Sequence, residues 1–155
     1  MAFLHNLKLW LSPPRILDPD FGDLVFIYIS KWPERSYWEA EWKFPPTGTV
    51  VAIALRGGEA GPDSETRQFY LNLLSRYDAI LRACRPELER VFRTWRNAQL
   101  PENIFGVVKL TGFGVEDPAE QPVRWDISFE TTDDNWLGIS IPFVGETAQE
   151  AMVDT

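Results

Sequence analysis

Along Tyr37–Gly48 (YWEAEWKFPPTG) ring-bearing and charged residues alternate, with Trp38, Ala40, Trp42 and Phe44 in one set and Glu39, Glu41 and Lys43 in the other. A period of two puts the rings on one face of a β-strand and the charges on the other. Pro45-Pro46-Thr47-Gly48 ends that strand, because proline cannot donate to a ladder and glycine tolerates a reversed φ. The apolar run Thr49–Leu55 follows at once, so a hairpin is expected. Upstream, Ser12-Pro13-Pro14-Arg15 reads as a stiff link and Asp18–Gly22 as a turn. Leu24–Ile29 reads as a central strand, apolar on both faces, and completes a three-stranded meander.

The period then changes. Beyond the loop Arg56–Gly61, Pro62 suits the first turn of a helix, and Asp63 and Glu65 suit its positive end. Phe69, Tyr70, Leu73, Leu74, Tyr77, Ile80, Leu81 and Cys84 recur at helical spacing. Pro86 is expected to break this helix, with Leu88, Val91, Phe92 and Trp95 forming a second one that ends near Gln99. Strands return at Phe105–Val115, where Gly106, Gly112 and Gly114 imply bulges. Val123, Trp125, Ile127 and Phe129 alternate strictly with polar residues, and after the polar turn Thr131–Asn135 comes Trp136–Phe143. The two β portions loosely mirror each other.

The expected fold is α+β: a three-stranded meander, two helices, then three further strands, forming a mostly antiparallel sheet with the helices on one face. Residues 1–15 form an N-terminal arm, 16–143 a single domain, and 144–155 a flexible tail.

Composition sharpens this picture. Seven tryptophans in 155 residues supply a large interior or strong interface anchors. Cys84 is the only cysteine, so no intrachain disulfide and no cysteine zinc cage can form, which suits a reducing cytoplasm. In the arm, Phe3, Leu4, Leu7 and Leu11 share a helical face. His5, Asn6 and Lys8 interrupt the apolar run, so neither a secretory leader nor a membrane span is expected.

Charge is uneven. Net charge is −8, and residues 102–155 hold only Lys109 and Arg124 against eleven acids. Such a surface repels nucleic acid and anionic lipid and favours a basic protein partner.

Catalytic chemistry is sparse. Asp20-Phe21-Gly22 spells the metal-binding triplet of protein kinases, but no glycine-rich phosphate loop accompanies it. His5 is the only histidine and has no triad or ligand partner in sequence, and Cys84 falls on an apolar stripe. Glu39 and Glu41 share a strand face, and Glu130, Asp133 and Asp134 offer oxygen ligands without an EF-hand spacing. The arginines Arg85, Arg90, Arg93 and Arg96, with Glu87 and Glu89, read as a salt-bridged solvent face in which an i,i+4 pair of Glu89 with Arg93 is available. No cofactor or metal site is expected.

Taken together, DPDFGDL, YWEAEWKFPPTG, GPDSETRQFYLNLLSRY, VFRTW and VRWDISFE resemble a widespread family of uncharacterised small bacterial α+β proteins. The family is similar in class to the immunity proteins of toxin systems. The resemblance covers about residues 16–143 and implies a fold without catalytic residues to carry over. A cytoplasmic, non-catalytic binding protein is therefore expected, such as an immunity protein that neutralises a cognate toxin through an acidic surface. Its candidate contacts are Trp32, Glu116, Asp117, Glu120, Asp126, Glu130, Asp133, Asp134 and Trp136. The alternatives are a carboxylate- or metal-dependent enzyme and a structural module that pairs through a sheet edge.

Overall fold

A computed structural model describes residues 1–155. The protein is α+β, with two α-helices and ten strands, and it divides into two compact units, Met1–Leu71 and Asn72–Thr155.

The first unit opens with helix α1 (Ala2–Leu11). It continues through strands β1 (Arg15–Asp18), β2 (Gly22–Ile27), β3 (Tyr37–Phe44), β4 (Thr49–Gly58) and β5 (Gly61–Pro62). Neighbours pair antiparallel in the order β1-β2-β3-β4, and β5 folds back on β4. The period of two in β3 is realised directly. Trp38, Ala40, Trp42 and Phe44 are buried, and their register partners on β4 include Leu55, Ile53 and Val51, also buried. Trp42 meets Phe21 and Phe44 edge-on at 5.1 and 5.0 Å, and Trp38 Nε1–H donates to the Gly58 carbonyl at 2.8 Å. Gly48 adopts φ 67°, a left-handed conformation that lets the four-residue turn close.

Asp18 organises the turn after β1. Its Oδ1 accepts from the amides of Asp20 (2.8 Å) and Phe21 (3.0 Å), and Arg67 bridges it to Asp20 while lying 5.1 Å over the Phe21 ring. Burial pushes the Asp18 carboxyl up, but the bonds from Arg67 and the two amides outweigh it and hold the carboxyl below its ordinary value. Asp63 behaves alike: burial raises it, but the bonds from Arg56 and from the Thr66 amide, which it caps at the helix start, outweigh this and leave it lowered. A depressed carboxyl stabilises the fold above its unfolded pKa, and this contribution is lost as pH falls through the folded value. Stability should therefore be level near neutrality and decline below about pH 4, and Arg67→Met should flatten that decline in melts taken across acidic pH. An unchanged acid profile in the variant would exclude Asp18 as its source.

Helix α2 (Ser64–Arg96) runs unbroken through Pro86 from the first unit into the second. This corrects the expectation of two helices parted at Pro86. Proline costs an interior helical bond, yet the stripe Tyr77, Ile80, Cys84, Leu88, Val91 and Phe92 is buried on both sides of it, and burial prevails. Pro62 likewise lies in β5, ahead of the helix.

The second unit contains β6 (Val108–Val115), β7 (Arg124–Thr131), β8 (Gly138–Val144), β9 (Thr147–Ala148) and β10 (Met152–Asp154). The order is β6-β7-β8-β10, with β9 also on β8, and all these pairings are antiparallel. The register of β6 shifts between Leu110 and Gly112, where glycine predicts a bulge. The β7–β8 hairpin is built like β3–β4: Trp125 stacks on Phe143 at 4.3 Å, and its Nε1–H donates to a glycine carbonyl, Gly145, at 2.8 Å.

The C-terminal segment, expected to fray, forms β9 and β10 instead. Glu87 on α2 accepts from the Ala151 amide at 2.8 Å, and Arg90 donates to the Ala151 carbonyl, so a helix side chain holds the segment beside β8. The strands absent from the expected order are β1, β5, β9 and β10, each four residues or fewer.

Candidate binding surface on the second unit

Half of β7 faces the core, with Trp125, Ile127, Phe129 and Thr131 buried. The alternate positions Asp126, Ser128 and Glu130 lie half-buried on the other face. Opposite them on β6 stand Gly114, Gly112 and Lys109, and on β8 Pro142, Ser140 and Gly138. The small neighbours leave room for what crosses this face. A Cβ at Gly114 would stand 2.6 Å from Asp126 Oδ1, and one at Gly138 would stand 2.9 Å from the Trp136 ring.

Trp136 therefore lies over Gly138, and its Nε1–H donates to Glu130 Oε2 at 2.9 Å. Lys109 pairs the same carboxylate through Oε1. These two donors hold the Glu130 carboxyl below its ordinary value. The indole is held by these contacts although Trp136 remains 46% exposed.

The turn before Trp136 is clamped from α2. Arg96 Nη2 donates to Thr131 Oγ1 (3.1 Å), to Asp133 Oδ1 (3.0 Å) and to the Asn135 carbonyl. Thr131 in turn accepts from the Leu137 amide at 2.8 Å and donates its own amide to the Leu137 carbonyl at 3.0 Å. Arg96 is thus a clamp, with a side chain only 12% exposed, and it does not belong to a solvent face. Its sisters are also engaged differently from expectation. Arg85, not Arg93, pairs Glu89 at 3.0 Å, and Arg90 pairs Glu87.

The candidate acids divide into classes. Glu130, Asp133 and Glu120 are ion-paired to Lys109, Arg96 and Arg124, the last loosely at 3.8 Å. Asp117 shapes its own turn by accepting from the Ala119 amide. Asp126 is pushed up by burial, which the Ser128 and Ser140 hydroxyls oppose, and the nearby Glu116 charge adds to the rise. Glu116 and Asp134 form no ion pair, and Asp134 is exposed. Of these acids, Glu116 and Asp134 carry the charge that no cation pairs, fewer groups than the sequence offers.

Trp32, in the first unit, is also 46% exposed, but Lys31 Nζ and the Arg35 guanidinium lie 4.8 and 5.4 Å from its ring. Two cations already occupy its π-face.

The other candidates resolve simply. Glu39 and Glu41 are exposed on β3, opposite alanines. Cys84 is buried, and desolvation pushes its thiol up to about 12, which leaves no thiolate near neutrality. His5 bonds Glu59 Oε2 at 2.9 Å. No cluster of three or more His, Cys, Asp or Glu side chains is placed to hold a metal ion, and of Glu130, Asp133 and Asp134 the first two are paired with Lys109 and Arg96. No helix is long and apolar enough to cross a membrane.

Lys109, Arg96 and Gly138 escape a reading by sequence alone. Lys109 does carry a faint signal, as one of only two bases, with Arg124, in β6 and β7. Comparison with protein families, with curated proteins and with solved structures found no match.

Proposed function

We propose that this protein is a non-catalytic binding module of the immunity-protein kind, which neutralises a basic protein partner through the Trp136 surface of its second unit. The observation that carries this reading is the fixed, half-exposed indole of Trp136, locked by Glu130 over Gly138. A rigid aromatic loses little entropy on binding, and tryptophan is enriched among residues that dominate interface energy. Asp134 and Glu116 carry the uncompensated charge that steers a basic partner and makes association sensitive to salt. Trp32, under two cations, suits such a partner less well.

Charge reversal separates binding from folding. Asp134→Lys should change stability by less than about 0.5 kcal/mol and weaken partner binding. Asp133→Lys should instead set a lysine against the Arg96 clamp and cost about 1 kcal/mol, a figure discounted because Asp133 is largely exposed. Melting curves and salt-dependent capture of partner by the two variants check both statements. Equal retention of a captured basic partner by Asp134→Lys and the parent chain would count against this surface.

A second reading rests on Asp126, whose raised carboxyl beside Ser128 and Ser140 suits a proton donor in a carboxylate-dependent enzyme. Small-molecule turnover abolished by Asp126→Asn would favour it.

A further inference from the structure

We infer that α1 is a self-association surface, which pairs the protein with a second copy of itself. An ordinary amphipathic helix turns its apolar stripe inward, and α1 does the reverse. Leu9 is its one buried residue, while Phe3, Leu4, Leu7, Trp10 and Leu11 are exposed at 76, 66, 39, 72 and 66%. At 3.6 residues per turn those five side chains fall within an arc of about 120°, with Leu9 on the far side. The orientation is fixed by two attachments, the burial of Leu9 and the bond from His5 to Glu59. The apolar face is therefore held toward solvent.

A second copy of the chain matches this face in area and in shape. A whole phenylalanine or tryptophan covers 150–250 Å², so the exposed parts of the five side chains amount to roughly 600 Å² per copy. Two copies would bury about 1,200 Å², the lower bound for a specific, stable interface.

A groove of about 290 Å³ opens beside the same stripe, lined by Phe3, Asn6, Leu7, Trp10, Tyr28 and Ser30. The exposed Leu4 and Leu11 and a groove walled by the Phe3 and Trp10 rings lie on one patch. A two-fold contact requires such self-complementarity, since each copy must present both knob and hole. Lipid fits less well, because Lys8 is the only permanently charged side chain on α1 and the chain as a whole is anionic.

Sedimentation velocity from low micromolar to near-millimolar protein tests this. The parent chain should pass from monomer to dimer. Trp10→Glu and Leu4→Glu, both at exposed positions and so compatible with folding, should raise the dimer dissociation constant at least about thirtyfold. Trp95→Glu, at an exposed tryptophan of the second unit, should leave dimerisation unchanged. A parent chain monomeric throughout, or a dimer untouched by both α1 variants, overturns the inference. Flotation of the monomeric parent chain with anionic phospholipid vesicles, lost in Trp10→Glu, would reassign the face to membrane and overturn it equally.

Discussion

Replacing Pro86 by alanine should make the protein more stable, by about 1–3 kcal/mol, with a rise in Tm of roughly 3–10 °C. Pro86 sits inside α2, where it removes the amide that would bond the carbonyl of Arg82 and crowds that carbonyl with its ring. It is exposed, so alanine neither opens a cavity nor meets a clash. The buried stripe on either side already holds the helix together, and alanine would only restore the missing bond. Equilibrium unfolding in denaturant checks the gain. A variant no more stable than the parent would mean that α2 is divided at Pro86 in solution, as its sequence suggests.

Truncating Trp42 to alanine should have the largest opposite effect, a loss of about 3–5 kcal/mol. Trp42 is 2% exposed and touches Phe21, Phe44 and Tyr70 in edge-on arrangements. Its removal leaves a cavity that its neighbours cannot close without moving Tyr70, whose hydroxyl is bonded to the Ala54 carbonyl at 2.8 Å. A loss of that size approaches the whole stability of an ordinary domain. Denaturant melts of Trp42→Ala should show an early midpoint with little change in slope. A loss under about 1 kcal/mol would mean that this ring cluster is not the core of the first unit.

What could be read in advance follows from how many residues carry each signal. Strands β3 and β7 run for eight residues with strict alternation, and both appear as expected, tryptophan faces inward. Strands β5, β9 and β10 have two or three residues each, too few to show a period. Strands β5 and β9 fold back on the strands just before them, and the segment leading into β10 is held by a partner distant in sequence, as Glu87 takes the Ala151 amide. Pro86 misled because a local rule met a buried stripe longer than itself.

The candidate surface was legible in outline only. Its acids were visible in composition, but the cations that neutralise several of them, Arg96 and Lys109, come from other elements. Tryptophan alone does not declare its side either: Trp38, Trp42 and Trp125 are core, whereas Trp10, Trp32, Trp95 and Trp136 are exposed. Gly138, two residues after Trp136, is the local feature that lets its ring approach the strand so closely.

The most direct test of the binding proposal is to compare, side by side, the partner captured by the parent chain, by Trp136→Ala and by Trp32→Ala. The proposal predicts one basic partner in stoichiometric amount, bound at least about thirtyfold more weakly by Trp136→Ala and normally by Trp32→Ala. A partner held equally well by Trp136→Ala, or lost only with Trp32→Ala, would contradict it.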